Sequence, residues 1–194
     1  MLFAFTLICL ASVGHSVPLT CAELTRPVDQ LDPHRLPGRW ALIAGSISYL
    51  PYLEIFRQRD SATVSFSSPT NATSIPYSRS LNVNDTCSYG HYNISLEGST
   101  FTYDGTDKSN FSAAFVHTSC PDCVLFLMTV ESGKRQHFYL FSRRRQLEEK
   151  EMEEFRAQVA CLNMPPPAVM DPTKDLCPEK KTTVNMTRYS ARHN

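Results

Sequence analysis

The residues able to do chemistry in this 194-residue chain are cysteines, histidines and glycosylatable asparagines. Seven cysteines occur. Cys9 lies in an apolar N-terminal run, followed by Cys21, Cys87, Cys120, Cys123, Cys161 and Cys177. Thiols so distributed can pair as disulfides, hold a metal or supply a nucleophilic thiolate. Only Cys120 and Cys123, in "SCPDC", have the spacing of a zinc or redox motif. A local bridge across a turn is the first reading of that pair. A thioredoxin-like role comes second, because no strand-to-helix context is present to activate a thiolate. His91, His117 and His137 have no partner at metal-ligand spacing and read as structural or cavity-lining side chains, so no metal or other cofactor is expected. Asn71, Asn84, Asn93, Asn110 and Asn185 each open an Asn-x-Ser/Thr sequon without a central proline, the acceptor pattern of surface asparagines in an exported glycoprotein.

The leader agrees with export. "MLFAFTLICLASVGHS" is apolar and then turns small and polar. Its apolar run falls short of the roughly 20 residues that span a bilayer, and it reads as a signal peptide over residues 1–16. Its start carries no Lys or Arg, and an uncleaved anchor is the competing reading. The six later cysteines would then sit in an oxidising compartment, where many pairings are open to them and spacing alone selects none. The formal net charge is zero, so no global field recruits nucleic acid or anionic lipid. No later stretch is long and apolar enough to cross a membrane. A secreted, extracellular monomer follows, with one domain over residues 17–177 and a flexible tail over 178–194.

These residues must be positioned by β-structure. "RWALIAGSIS" is a first strand, and "YLPYLEIFRQRD" breaks its alternation and reads as a long loop holding one helical turn. "SATVSFSS", "SIPYSRSLNV", "CSYGHYNISLE", "STFTYDG", "FSAAFVHTS", "CVLFLMTVE" and "RQHFYLFS" follow, separated by turn chemistry, with Pro76 pointing to an edge or bulged position. The period then changes: "QLEEKEMEEFRAQVACL" sets Leu147, Met152, Phe155, Val159 and Leu162 on one helical face, with glutamates crowding its first turns. The fold class is all-β: an eight-stranded antiparallel up-and-down barrel with one C-terminal α-helix packed outside.

Gly38, Arg39 and Trp40, at the mouth of the first strand, match the Gly-x-Trp motif of the lipocalins, and Arg143 in "YLFSRRR" matches the arginine that follows their last barrel strand. A Trp ring under a guanidinium would plug one end of the barrel. Over about residues 20–181 the chain resembles the alpha-1-acid glycoprotein branch, with the fish tributyltin-binding and saxitoxin/tetrodotoxin-binding proteins. Apolipoprotein M is a more distant likeness. The resemblance implies a Cys21–Cys161 disulfide and a Cys87–Cys177 disulfide. The Cys120–Cys123 turn departs from the family pattern.

The resemblance also implies a cavity, and strand parity says which side chains face it. The inward set is Leu42, Phe101, Tyr103, Val124, Phe126, Met128, His137, Tyr139 and Phe141, with Tyr52 at the open mouth and Arg79 on the third strand, for which a solvated strand arginine is the competing reading. Such a wall holds a small hydrophobic or amphiphilic guest, and a steroid, basic drug, organotin or toxin-like molecule is what the resemblance implies. No bond is made or broken, so the protein reads as a transport protein and not an enzyme. Lipid carriage in the manner of apolipoprotein M, with the leader retained, is the alternative. A lipocalin-type isomerase would need a free thiolate inside the barrel.

Overall fold

The computed structural model describes residues 19–68, 74–104 and 110–179. The leader, Asn71, Asn185 and the tail after residue 179 lie outside the described residues. In chain order the elements are α1 (Cys21–Leu24), a 3-10 turn (Pro33–Arg35), β1 (Gly38–Ile47), α2 (Leu50–Arg57), β2 (Ser61–Phe66), β3 (Ser74–Val83), β4 (Thr86–Glu97), β5 (Thr100–Tyr103), β6 (Phe111–Val116), β7 (Cys123–Val130), β8 (Arg135–Ser142), α3 (Glu149–Cys161) and β9 (Ala168–Val169).

Strands β2 to β8 pair antiparallel in sequence order, and β1 closes the ring by pairing with both β8 and β2. The result is the closed eight-stranded barrel with an external helix. Tight turns hold the register. Between β3 and β4 the two loop residues Asn84 and Asp85 both have positive φ (50° and 57°), the geometry that matches hairpin twist. Pro76 pairs with Asn93 of β4 just beyond the last β2 pair, Phe66 with Tyr77, where its missing N–H costs no β2 ladder bond.

Two apolar layers explain the composition of the strands. The inward faces of all eight strands carry side chains of one core, among them Trp40, Leu42, Val64, Phe66, Tyr77, Ile94, Phe101, Phe115, Phe126 and Tyr139. On the outside, Ile43, Ala44, Val116, Leu125, Phe138 and Leu140 form a second core with Met152, Phe155 and Val159 of α3. Strands β7 and β8 are therefore apolar on both faces, which is why "VLFLM" and "FYLF" run on without alternation. Helix α3 begins with a capping box between Glu148 and Glu151, and its buried Gln158 donates to the carbonyls of Leu24 and His117 at 2.8 Å each.

Three disulfides are formed: Cys21–Cys161, Cys87–Cys177 and Cys120–Cys123. The first ties the N-terminal segment to the end of α3. The second pins the C-terminal strap to the start of β4. Along that strap Ser61 Oγ and Asn82 Nδ2 donate to the carbonyl of Asp175, and Lys174 pairs with Asp60 at 3.3 Å.

Two features correct the sequence expectation. The segment after β1 is a two-turn helix, α2, rather than a loop with one turn: Pro51 stands in its first turn, and Leu53 and Phe56, three apart, are both fully buried. Strand β9 was not anticipated; it pairs with Ala44 and Gly45 of β1.

Candidate functional site

The base of the barrel is built first. Trp40 is buried, its Nε1 donates to the Leu36 carbonyl at 2.9 Å, and the Arg143 guanidinium lies 4.0 Å from its ring centroid. Arg143 Nη2 in turn donates to the carbonyls of Pro37 and Arg35 at 2.9 and 3.1 Å. Gly38 has φ +110°, and a Cβ there would lie 2.7 Å from Arg143 Nη1, so the glycine serves both backbone conformation and close approach. On the outer side of this base is a recess of about 560 Å³ between the Val28–Leu36 segment and the β6–β7 turn. Trp40 borders that recess.

Above the base, the barrel encloses a cavity of about 550 Å³. Leu42, Arg79, Tyr103, Phe126, Met128, His137, Tyr139 and Phe141 of the expected set line it, together with Val64, Tyr77, Phe111, Val130 and Arg59. Phe101 points inward but sits in the aromatic packing beside the cavity, 5.3 Å from Phe115 and 5.7 Å from Phe126 by ring centroids. Val124 faces the base and borders the lower recess instead. Tyr52 stands on the rim, largely exposed, under the Arg135 guanidinium at 4.6 Å. Helix α2 reaches over the mouth: Phe56 stacks on Tyr139 (5.6 Å), and a Cβ on Gly45 would collide with both rings.

The cavity's polar atoms fall into two groups. In the first, Tyr77, Tyr103 and Tyr139 are all held above the ordinary phenol range by burial, Tyr139 to about 12, so they remain neutral donors. His137 Nδ1 lies 3.0 Å from the Tyr139 hydroxyl, and its Nε2 is buried without a protein partner. Burial, then the charges of Arg135 and Arg59, lower the His137 pKa to about 4, so the ring is neutral at physiological pH. With the Tyr139 hydroxyl donating to Nδ1, the Nε2–H is a donor open to a guest.

Toward the mouth stand two guanidiniums. Arg79 Nη2 donates to the Tyr92 hydroxyl at 3.1 Å, and Arg59 lies over the Phe56 ring at 4.7 Å. Among the described lining residues there is no carboxylate to oppose them.

Parity along β2 and β3 could have found Val64 and Tyr77, since Tyr77 shares the face of Arg79. Arg59 was out of reach of that reasoning, because it lies between α2 and β2, where no period operates. Among the described residues, Cys120, Asp122 and Cys123 form the one cluster with metal-ligand proximity, and its two sulfurs are bonded to each other. All six cysteines of the described residues are in disulfides. Asn84, Asn93 and Asn110 are solvent-exposed.

A closed barrel with a corked base, an apolar cup and an external helix is the lipocalin fold. The family model described as the ApoM domain matches residues 9–178, and the chain belongs to that family. Many solved structures share the fold. One is the siderocalin Ex-FABP, described as functioning through dual ligand specificities, at 15% identity and TM-score 0.59, covering 70% of this chain and 93% of that one. Another is lipocalin 12 from rat epididymis, at 16% identity and TM-score 0.64, covering 78% of this chain and 91% of that one. Comparison with curated protein sequences gives no match.

Proposed function

We propose that this protein is a carrier that holds one small amphiphilic molecule in the barrel cavity. The observation that supports it is a cup of about 550 Å³, walled by aromatic and aliphatic side chains, in which His137 Nε2 and two guanidiniums are left for a guest to meet. Burial of the guest's apolar body supplies affinity, and the polar atoms fix its orientation. Arg59 and Arg79 without an opposing carboxylate favour a neutral or acidic head group over a basic one. Among the guests implied by the resemblance to alpha-1-acid glycoprotein and the tributyltin- and toxin-binding proteins, a steroid or other neutral amphiphile therefore ranks above a basic drug. Exposed Asn84, Asn93 and Asn110, with three disulfides, support an extracellular glycoprotein.

Membership of the ApoM-domain family favours the second reading, lipid carriage with the leader kept as an anchor. N-terminal sequencing of protein recovered from secreting cells separates the two: a start near His15 or Val17 supports the free carrier, and an intact Met1 supports the anchored one. An isomerase reading draws no support from the described cysteines, which are all oxidised.

Displacement of an environment-sensitive dye by a panel of steroids, fatty acids, organotins and cationic amphiphiles tests the carrier reading. Binding of neutral or acidic members in the micromolar range is expected. Failure of every member would end the proposal. Tryptophan quenching is the wrong probe, because Trp40 borders the basal recess and not the cup.

A further inference from the structure

The mouth of the cup is edged by an apolar surface that packing inside the protein does not explain. Six large hydrophobic side chains are prominently exposed among the described residues, and four of them are Tyr49, Leu50, Tyr52 and Ile55, on α2 and its N-cap. Leu50 and Ile55 are 58% and 57% exposed. A fifth, Val169, sits on β9, which packs against α2. Helix α2 already buries Leu53 and Phe56 toward the cavity, so its outward apolar side chains form a second, uncovered face. Tyr49 and Tyr52 meet edge to face at 5.1 Å, giving this face two rings with apolar bodies and polar tips.

Cations surround it. Arg57 and Arg135 are paired with Glu54 and Glu131, while Arg59 lies over Phe56 and Lys134 stands exposed in the β7–β8 turn. With Asp60, which follows Arg59 and pairs with Lys174, and the exposed Asp85 beside it, the neighbourhood of α2 carries five cations against four carboxylates, a small positive excess on a chain of zero net charge.

We propose that α2 and its rim dock onto a lipid surface bearing anionic head groups, with Leu50, Tyr52 and Ile55 entering the interface and the mouth of the cup facing the lipid. Aromatic and aliphatic side chains flanked by Lys and Arg are the combination that holds a helix in an interface. A second copy of the chain fits less well. A symmetric pair would bring the same cations face to face, and a few side chains on a short helix fall well below the roughly 800 Å² per partner of a stable dimer. The proposal goes beyond the carrier reading and differs from anchoring by a retained leader, since the contact is made by the folded domain at the opening of its own cavity.

The test is flotation of the purified chain with phosphatidylcholine vesicles, with and without phosphatidylserine, comparing wild type with the double variant L50E/I55E carrying the same N-terminus. Both side chains are exposed and neither lines the cup, so dye binding without vesicles should be unchanged. That measurement reports on the carrier reading separately. Expected is binding that rises with phosphatidylserine, weakens with salt, and falls at least roughly tenfold in the variant. Equal binding of the two proteins, or no binding by wild type, overturns the proposal. So does a wild-type dimer in sedimentation that the variant abolishes, which would assign the face to self-association.

Discussion

The two ends of the barrel are made of similar residue types and put them to opposite uses. At the base, an arginine is satisfied within the protein: Arg143 covers Trp40 and gives its N–H groups to two carbonyls. At the mouth, Arg59 and Arg79 border open space, His137 keeps an unpartnered nitrogen, and α2 shows apolar side chains to solvent. A buried polar group with all its partners supplied by the chain stabilises the fold. One left without a partner next to a cavity destabilises the empty protein, and a guest can relieve that cost. The contrast separates side chains satisfied within the fold from those the proposed carrier would offer to a guest, and it does so better than residue type or burial does.

The sharpest way to break the comparison is Trp40→Ala. It should cost about 3–5 kcal/mol of stability in urea denaturation, through lost burial and the cavity left behind. If the fold persists, dye affinity per folded molecule should change little. Next in size is acidification. His137 has a folded pKa near 4 against 6.5 for the free side chain, so the unfolded chain binds the extra proton first. Its contribution to stability is complete above about pH 6.5 and is lost as pH falls through 4, an effect of up to ~3 kcal/mol before solvent screening reduces it. Denaturation midpoints between pH 7 and 4 should show this decline, and His137→Phe should flatten it.

Removing the Cys120–Cys123 bridge with a pair of serines should cost on the order of 2 kcal/mol or less, because the loop it closes is so short. Thermal unfolding would show this beside the larger loss from opening Cys87–Cys177, whose partners are 90 residues apart. Smallest in energy, and confined to binding, is the mouth: Arg59→Met or Arg79→Met should weaken an acidic amphiphile roughly tenfold while leaving stability near wild type. A matching gain for a cationic amphiphile would sharpen the assignment. Loss for both would show the side chains acting by packing.

Much of this contrast is legible in the sequence, for a definite reason. On a strand, one correctly placed residue fixes the facing of all its neighbours. Tyr139 placed inward brings His137 and Phe141 with it, and their cross-strand partners Met128 and Val124 follow. Gly38, Trp40 and Arg143 were legible because corking a barrel needs those residue types together. The features that escaped lie where no period operates. Helix α2 is eight residues long with two buried positions, too few to show a 3.6-residue rhythm. Strand β9 has two residues, and it is held beside β1 by long-range hydrogen bonds on either side of it, Met170 N–H to the Ile43 carbonyl and Ser46 Oγ to the Pro165 carbonyl. Phe101 and Val124 face inward as expected but at heights the alternation could not give, because stagger between tilted strands decides which level of a barrel a side chain reaches.

The closing seam has its own consequence. β1 meets β2 through only four residue pairs, Gly38 to Ala41 against Phe66 to Thr63, and higher up β9 takes that flank at Ala44 and Gly45. The vessel is stitched along its lower hem and merely overlapped above. Its foot is closed by a ladder, whereas its lip on this flank is closed by a short helix resting on a two-residue flap, so a change of width there would break few ladder bonds.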